Sequence, residues 1–540
     1  MNSNAPIRAR RSRTKATKTT TRLEQSLLAA AQTFCDVLHQ INSTDKENSF
    51  QLWRAYWIAS NGEIGRKKQV TNDLFNGALG DQSEADPYRY LFAVETALVH
   101  IAKQLAKSSL NTTIQENAAS AIFEWWLATA SSPVLAAAAQ VGQIFADIRK
   151  SELLRELSED PLRRIYHALI PKAIRHTLGA YLSPPDLCIH VLHGVSIQEM
   201  FDNPNVRLIE PNCGLGAFFC ALLSVALAAS ATNDARSAVG FAFLRQIYGV
   251  EKNLGSYVVS RYLHAAICGL LTDKLPEEEH IVWADSVFID ESFIAERLSS
   301  SLGLADRVLL AGPLRIQYQT PPSGELDVMN HGSVMAFFDG AEWKSAQSPL
   351  RAWLEANTAE VRKLHELAVA EAVRLETLRD FDLIVGNPPW VNWENLDPDY
   401  KALILPSWPP LGLFAMSGRD RAFSKEDLSV LATYSACLRF GKLTTKVGLL
   451  LPQGLFQSRK NSKGFRRFRI GQSGPYLRVE QVTDFSDYAA FGDAKNRTAA
   501  FFCTLSTKPT EFPVRYIRFI PGTNNAGALD QYVTQQAAPS

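Results

Sequence analysis

The sequence predicts an α/β protein in which an all-helical N-terminal region precedes a mostly parallel β-sheet. From Glu24 to about Ile170, apolar residues recur at the three-to-four spacing of amphipathic helices. After Arg175, short strand-like apolar runs alternate with helical segments, which predicts a parallel sheet covered on both faces. The last two runs, "LRVEQVTDF" and "TAAFFCTL", have no helix between them. We therefore expect them to form an antiparallel pair at one edge of the sheet.

Composition restricts the class of protein. The chain has 540 residues, of which 46% are hydrophobic and 21% charged, and this is typical of a soluble protein with two or more domains. The net charge of +1 gives no overall attraction for nucleic acid, so any DNA-binding surface must be local. Seven scattered cysteines without a CxxC pair argue against a disulfide framework or a zinc site. No apolar stretch reaches the roughly 18 residues of a membrane span. We expect a cytoplasmic protein with no metal and no membrane partner.

The chain divides into four predicted segments. These are a basic disordered tail (1–22), a helical N-terminal domain (23–170), a sheet domain (171–508) and a short C-terminal tail (509–540). An insertion at about 300–379 interrupts the sheet domain, because this stretch is too long for a crossover and has a Gly/Pro-rich loop before its helix. The tail has seven Lys and Arg residues and no acid. It is interpreted as an arm that contacts DNA phosphates, a solvated tail or an organellar transit peptide.

A glycine loop follows the first predicted strand. In "LIEPNCGLGAFF", Glu210 ends the strand, and Gly214 and Gly216 precede a helix. Glycine lets the backbone approach a ligand closely, and a helix N-terminus offers unpaired N–H groups. The spacing is not GxGxxG, so the dinucleotide fingerprint is not met. Ordinary turn glycines remain an alternative.

Acidic residues end the next two predicted strands. Glu251 in "YGVEKN" is suited to accept hydrogen bonds from the two hydroxyls of a ribose, and Asp285 in "VWADSVF" from an adenine amino group. Acids at successive strand ends line the ligand crevice of an open α/β sheet. Each acid alone is also explained as a loop carboxylate or a helix cap. Together with the glycine loop, they predict a nucleoside site.

The stretch "FDLIVGNPPW" places Asn387, Pro388, Pro389 and Trp390 at the end of another strand. Proline has no N–H, so Pro388 presents only a carbonyl acceptor beside the side-chain oxygen of Asn387. Pro389 restricts the conformation of Pro388, and Trp390 offers a flat face for an aromatic ring. Two fixed acceptors suit a substrate –NH2 group and stabilise the positive charge that develops on its nitrogen. The alternative is a simple strand terminator.

These motifs, in this order, resemble those of the gamma-type S-adenosylmethionine-dependent DNA adenine-N6 methyltransferases of restriction-modification and phage-defence systems. The resemblance covers roughly Arg175 to Leu505 and also includes "HTLGAYLSPPDLCIHVL" and "FGDAKNRTAAFF". It implies a Rossmann-like methyltransferase sheet, S-adenosyl-L-methionine as cofactor and double-stranded DNA as partner. Base flipping is also implied, because N6 of adenine is paired and stacked in a duplex.

The resemblance also assigns residues. The catalytic residues would be Asn387, Pro388, Pro389 and Trp390, and Phe491 would stack on the target base. The cofactor would contact Tyr181, Ser183, Pro184, Glu210, Cys213, Gly214, Gly216, Glu251, Asp285, Val287 and Phe288. The basic run "SRKNSKGFRRFR" offers Arg459, Lys460, Lys463, Arg466 and Arg467 for DNA phosphates, with Arg469 beyond them. A solvated helix face explains this run equally well.

The sequence departs from the family at two levels. The cofactor loop more often reads Asp-Pro-x-Cys-Gly-Ser-Gly, whereas this chain has Glu-Pro-Asn-Cys-Gly-Leu-Gly, and "YLSP" replaces the commoner Tyr-Thr-Pro form. Gamma-type enzymes usually have a target-recognition domain after the last strands, but only a short tail follows Lys508. We expect DNA sequence to be read by the helical region, the insertion or a separate specificity or defence-system subunit.

Two other functions fit the same motifs. A protein methyltransferase acting on the N5 amide of glutamine would present a similar –NH2 group to the same two acceptors. A catalytically silent subunit of a defence complex would keep the fold for binding alone. The intact Asn-Pro-Pro-Trp motif favours an enzyme, and the basic run together with Phe491 favours DNA.

Overall fold

The computed structural model describes sixteen stretches of the chain. They are residues 22–41, 43–61, 87–111, 114–128, 131–170, 175, 182–229, 233–299, 306–311, 314–319, 358–414, 426–457, 462–488, 491, 497–521 and 532–536. The basic tail before Arg22 lies outside the described residues. Among the described residues, no helix is both long enough and apolar enough to cross a membrane.

The N-terminal region is helical, as its periodicity predicts. Its helices are Arg22–Gln40, Thr44–Asn61, Pro87–Ser109, Ala118–Ile122, Ser132–Ala146, Lys150–Leu157 and Pro161–Leu169. Aromatic side chains fill the core between them. The Phe34 ring stands edge-on to Trp126 with centroids 5.3 Å apart, and Trp53 lies 5.3 Å from Phe92. Such rings bury large apolar areas and so hold short helices together.

Nine of the described strands form one mixed sheet, in the order β11-β10-β8-β9-β7-β6-β1-β2-β3. The strands are β1 (Leu208–Glu210), β2 (Ile247–Glu251), β3 (Ile281–Trp283), β6 (Phe381–Gly386), β7 (Gly441–Pro452), β8 (Tyr476–Asp484), β9 (Thr498–Ser506), β10 (Arg515–Pro521) and β11 (Tyr532–Gln536). Strands β3, β2, β1, β6 and β7 are parallel to one another. The register pairs Leu208 with both Ile247 and Leu383. The fold class predicted from the sequence is confirmed.

Helices cover both faces of the central strands. Successive residues of a strand point to opposite faces, and every residue of β1 and the run 447–452 of β7 are buried. The helices of this domain are Pro185–Gly194, Gln198–Asp202, Ala217–Ala229, Asn233–Arg245, Leu254–Thr272, Glu291–Ser299, Thr358–Thr377, Pro398–Ile404, Leu428–Phe440 and Gly454–Gln457. A ligand site in such a sheet is therefore expected at the carboxyl ends of the parallel strands.

Two features differ from the sequence prediction. Strands β8 and β9 pair antiparallel as expected, but β10 and β11 extend the sheet beyond them, where the sequence predicted a weakly patterned tail. The physical reason is that β10 is stabilised by pairing with the distant β8, for example Ile517 with Thr483, and a local pattern does not show this. The insertion also contains a hairpin of β4 (Asp306–Ala311) and β5 (Leu314–Gln319) before the predicted helix Thr358–Thr377.

The helical region packs directly on the sheet domain. Helix Pro87–Ser109 lies along helix Leu254–Thr272, which follows β2. Two glycines of the second helix face the first: a Cβ added at Gly255 would lie 2.2 Å from Glu95 Oε2, and one at Gly269 would lie 2.6 Å from Leu110. The two glycines are 14 residues apart, about four helical turns, and therefore lie on nearly the same face. Their missing side chains let the two helices approach closely.

Candidate active site

A cavity of about 240 Å³ lies at the carboxyl ends of β1, β2 and β6. The chain leaves β1 to one side for β2 and returns on the other side at β6, so this is the switch point where open α/β sheets bind ligands. Seven residues predicted from the sequence line it: Gly214, Glu251, Val287, Asn387, Pro388, Pro389 and Trp390. The structure therefore brings the predicted nucleoside and amine sites into one space.

The glycine loop forms one wall. Gly214 and Gly216 have φ angles of +54° and +85°, a left-handed conformation that only glycine adopts without strain. A Cβ at Gly216 would lie 2.7 Å from Leu263 Cδ2. At Gly214 the nearest atom would be Leu182 Cδ2 at 3.5 Å, and both residues line the cavity. A side chain at Gly214 would project into the space that a ligand needs.

Glu251 holds this loop in place. Its Oε2 accepts a hydrogen bond from the Gly214 N–H at 2.9 Å, and its Oε1 accepts one from the Asn253 N–H at 2.7 Å. Burial raises the pKa of the Glu251 carboxyl despite these two donors. Each carboxylate oxygen keeps a further lone pair, so Glu251 can still accept a hydrogen bond from a ligand hydroxyl.

Asp285 is occupied by protein partners. Its Oδ1 accepts hydrogen bonds from the N–H groups of Val287 at 2.9 Å and Phe288 at 3.3 Å. The Tyr400 hydroxyl donates to its Oδ2 at 2.9 Å. Asp285 and Phe288 are both buried. In this arrangement, Tyr400 presents the polar edge of the cavity that the sequence assigned to Asp285.

Glu210 and Cys213 are both buried, and neither lines the cavity. Glu210 is buried, and within the described part of the chain its Oε2 has no hydrogen-bond partner. Burial, and then the charges of Glu251 and Asp160, raise the pKa of the Glu210 carboxyl well above its ordinary value. The Cys213 thiol is buried 3.7 Å from Ser260 Oγ, under the loop.

The Asn-Pro-Pro-Trp corner is fixed from behind. The Trp390 indole N–H donates to the Leu450 carbonyl of β7 at 3.2 Å. The Leu428 N–H donates to the Val391 carbonyl at 2.9 Å, which anchors the chain just after the corner. The Phe491 ring lies 5.2 Å from Trp390 at an interplanar angle of 64°. The predicted base-stacking residue thus stands beside the predicted catalytic corner.

The remaining predicted residues have mixed placements. Ser183 and Pro184 are buried at the start of helix Pro185–Gly194, next to the cavity residue Leu182. Arg466 donates to the Leu455 carbonyl at 2.7 Å, and Arg467 donates to the Gly412 carbonyl. These bonds tie both guanidinium groups to the protein itself. Lys463 is exposed. Tyr181, Arg459 and Lys460 lie outside the described residues.

Sequence reasoning missed the wall that comes from the helical region. This wall consists of Trp57, Ser60, Asn61, Glu95, Leu98 and Tyr166. Asn61 Nδ2 donates to Asn253 Oδ1 at 2.9 Å, and Lys252 Nζ donates to the Ser60 carbonyl at 3.2 Å. One sequence signal pointed to it: Glu95 interrupts the buried run of its helix, between Val94 and Thr96. An acid on the packed face of a helix needs a partner or a function.

The residues present fit a nucleoside cofactor with a positive charge. Three acids, Glu95, Glu210 and Glu251, have raised pKa values around the glycine loop. Bringing a cation near them would favour their charged forms. Among the described residues, no group of three or more His, Cys, Asp or Glu side chains is arranged to hold a metal ion.

Comparison of the sequence with protein-family models gives no match, and comparison with curated proteins gives none either. Among solved structures, the chain is similar to the DrdV–DNA complex (13% identity, TM-score 0.49, 93% of this chain and 44% of that chain). It is also similar to the Type ISP restriction-modification enzyme LlaBIII bound to DNA (11% identity, TM-score 0.47, 92% of this chain and 30% of that chain). A third similar structure is a type I restriction-modification system methyltransferase subunit from Streptococcus thermophilus (13% identity, TM-score 0.39, 94% of this chain and 90% of that chain). The chain spans less than half the length of the first two.

Proposed function

We propose that this chain is an S-adenosylmethionine-dependent DNA methyltransferase that modifies the N6 amino group of adenine. The observation that carries the proposal is the shared cavity, which the Asn387-Pro388-Pro389-Trp390 corner and the glycine loop both line. A methyl transfer needs a nucleoside cofactor and an amine held side by side, and proximity of this kind lowers the barrier strongly. A role in restriction-modification or phage defence rests on the resemblance of the motifs alone.

The cofactor would lie against the glycine loop. Gly214 leaves room for it, Glu251 accepts hydrogen bonds from its hydroxyls, and Val287 contacts its base. S-adenosylmethionine, when bound, supplies an electrophilic methyl group on a sulfonium centre. The pKa values of Glu210 and Glu251 are raised in the ligand-free protein, and the positive charge of a bound sulfonium would lower them by favouring the ionised carboxylates.

The target amine would be held by Asn387 and Pro388. The lone pair of an adenine amino group is delocalised into the ring, which makes the amine a poor nucleophile. The side-chain oxygen of Asn387 and the carbonyl of Pro388 would each accept a hydrogen bond from one N–H of this amine. The nitrogen then approaches tetrahedral geometry. The same two oxygens then stabilise the positive charge that develops on it. The methyl group would move from the sulfonium sulfur, which becomes the neutral thioether of S-adenosylhomocysteine, to the amine nitrogen, and the methylated nitrogen would then lose a proton to solvent.

Aromatic rings would hold the flipped base. Trp390 is fixed by its bond to the Leu450 carbonyl, and Phe491 stands against it with ring centroids 5.2 Å apart. Stacking on such rings repays part of the cost of extruding a base from the duplex. Of the basic run, Lys463 is exposed and is the first candidate for a phosphate contact.

The test is a direct reading of N6-methyladenine in genomic DNA from a methylation-free bacterium that expresses the chain. Wild type is expected to methylate a defined sequence. Asn387→Ala should abolish methylation and keep cofactor affinity within about twofold, because its role is confined to the amine. Gly214→Val should abolish both, since its side chain would enter the cofactor space.

The two variants separate the parts of the proposal, with cofactor affinity measured by calorimetry. Methylation by Asn387→Ala would overturn the assignment of the amine site. Unchanged cofactor affinity in Gly214→Val would overturn the assignment of the loop. If wild type binds the cofactor and methylates glutamine side chains but no DNA, the glutamine alternative replaces this proposal.

A further inference from the structure

The wall supplied by the helical region contains a carboxyl group that faces the cavity. Glu95 lies on helix Pro87–Ser109 and lines the same space as Gly214 and Glu251. The other polar groups of this wall are neutral, since they come from Ser60, Asn61 and Tyr166. Glu95 is therefore the ionisable group that this wall presents to a ligand.

The position of Glu95 is fixed by two contacts. The Trp53 indole N–H donates to Glu95 Oε2 at 2.8 Å. Gly255 lies directly beneath, because a Cβ there would come within 2.2 Å of the same oxygen. Any side chain at position 255 would displace the carboxyl. A charged group that is held so firmly from both sides is preorganised to bind a ligand.

One oxygen of Glu95 is left for a ligand. Trp53 occupies Oε2, and within the described stretches Oε1 accepts no hydrogen bond. Glu95 is partly exposed, and the space into which it opens is the cavity. Burial raises the pKa of the Glu95 carboxyl to about 7, and the charge of Glu251 contributes to this increase. Glu95 and Glu251 both line the cavity, so both carboxyls would border a nucleoside bound there.

The cofactor offers a group that fits this pair. A ribose carries two adjacent hydroxyls, and an acid at the end of the second strand accepts from them. Both oxygens of Glu251 already accept a backbone N–H, from Gly214 and Asn253. Glu95 offers a second carboxyl group on the cavity lining, and among the described residues only its Oε2 accepts a hydrogen bond.

We propose that Glu95 is a cofactor-binding residue that accepts a hydrogen bond from a ribose hydroxyl, so that the helical N-terminal region forms half of the cofactor site. This inference rests on the proposed function, since it requires a nucleoside cofactor. It assigns the helical region a direct part in binding, and substitution of Glu95 should then alter cofactor affinity although the glycine loop is intact.

The experiment measures the affinity of the full chain for four ligands by calorimetry. They are S-adenosylmethionine, S-adenosylhomocysteine and the 2′-deoxy and 3′-deoxy forms of the latter. Glu95→Ala should weaken binding of the first two by about tenfold or more, as expected for loss of a hydrogen bond to a charged group. For the deoxy ligand that lacks the contacted hydroxyl, the same substitution should change affinity by no more than about twofold.

The four ligands distinguish a contact from a charge effect. S-adenosylhomocysteine lacks the sulfonium charge, so a loss confined to S-adenosylmethionine would mean that Glu95 acts through its charge and would overturn the proposal. A similar loss for all four ligands would overturn it too, because no hydroxyl would then be involved. If wild type binds neither natural ligand, the proposed function itself fails.

Two further variants guard against misfolding. Glu156→Ala removes another buried carboxyl of the helical region and should leave all four affinities unchanged. Glu95→Gln keeps an amide oxygen for the Trp53 N–H, so it should fold even if Glu95→Ala does not. It should also reduce the preference for the ribose over the deoxy ligand, because a neutral amide replaces the carboxylate. An unchanged preference in a folded Glu95→Gln protein would contradict the inference.

Discussion

Asp427 shows at the residue scale how the Asn-Pro-Pro-Trp corner is held. Its carboxylate caps helix Leu428–Phe440 by accepting hydrogen bonds from the Ser429 N–H at 3.0 Å and the Ser429 hydroxyl at 2.6 Å. Its backbone pairs with Asn392, two residues after Trp390. Burial raises the pKa of the Asp427 carboxyl to about 6. The corner is therefore supported by a carboxyl group that is costly to ionise.

This cost predicts a pH dependence of stability. Between about pH 4 and pH 6, folded Asp427 binds more protons than it does when unfolded, so its contribution to stability falls as pH rises through this window. Asp427→Asn keeps an acceptor for the cap but lacks the titration. Between pH 3.5 and pH 8, the free energy of unfolding of the variant should rise relative to that of wild type by on the order of 1–3 kcal/mol. At pH 8 the variant should be at least as stable as wild type. Denaturant unfolding at both pH values measures this, and a difference that does not change with pH would contradict it.

Helix Thr358–Thr377 illustrates the element scale, because it covers the edge of the sheet at β3. The Trp283 N–H donates to Glu371 Oε2 at 3.0 Å, and Arg374 bonds to the Ile281 carbonyl at 3.2 Å. An uncovered edge strand is prone to pair with other chains. The helix at the end of the insertion thus covers the β3 edge of the sheet.

A buried ion pair ties this helix to the helix before β7. Arg439 and Glu376 lie 2.7 Å apart with side chains that are 2% and 7% exposed. Arg439→Met should destabilise the fold by about 3–5 kcal/mol, because it leaves a buried carboxylate without its cation. The double variant Arg439→Met/Glu376→Met should recover most of this loss. Thermal and denaturant unfolding measure both.

The exposed pair of Lys446 and Glu199 serves as the control for this prediction. Their side chains are 38% and 63% exposed, so Lys446→Met should change stability by less than about 1 kcal/mol. If the double variant at the buried pair were as unstable as Arg439→Met alone, the loss would come from packing of the Arg439 side chain and not from the unpaired charge.

At the scale of the whole molecule, the helical region and the sheet domain share one packed interface. Helix Leu254–Thr272 is buried on the sheet side by β2 and β3 and on the other side by helix Pro87–Ser109. The cavity lies at one end of this interface, where Glu95 contacts Gly255. We therefore expect both parts of the molecule to unfold together.

Gly269, at the other end of the interface, allows a test of this coupling. A Cβ there would lie 2.8 Å from the Ser109 carbonyl oxygen, so the backbone of one helix would have to move. Gly269→Ala should destabilise the protein by about 1–3 kcal/mol through overpacking. Tryptophan fluorescence, which reports on both regions, and circular dichroism of the whole chain should show one transition at the same lowered temperature.

Gly454 provides the matched control, because a Cβ there would meet no atom within 4 Å. Gly454→Ala should be neutral or stabilise by up to about 1 kcal/mol, since it restricts the unfolded chain. Two separate transitions in Gly269→Ala, with only one of them shifted, would show that the two regions fold independently.

The sequence by itself determined the fold class and the residues at the ends of the strands. Gly214, Gly216, Pro388 and Pro389 were identified because glycine and proline restrict their own backbone, and this restriction is written locally. Strand and helix periodicity located the elements around them. The predicted roles of these residues in binding and catalysis remain predictions.

Only the tertiary structure decided which residues share the cavity. Trp53, Glu95 and Gly255 are in contact although they are far apart in the chain. Strand β10 forms because its backbone pairs with that of β8. The structure also placed Tyr400 on Asp285 and turned Arg466 and Arg467 towards backbone carbonyls. The physical reason is that such contacts depend on the packing of distant segments, which leaves no period or local restriction in the sequence.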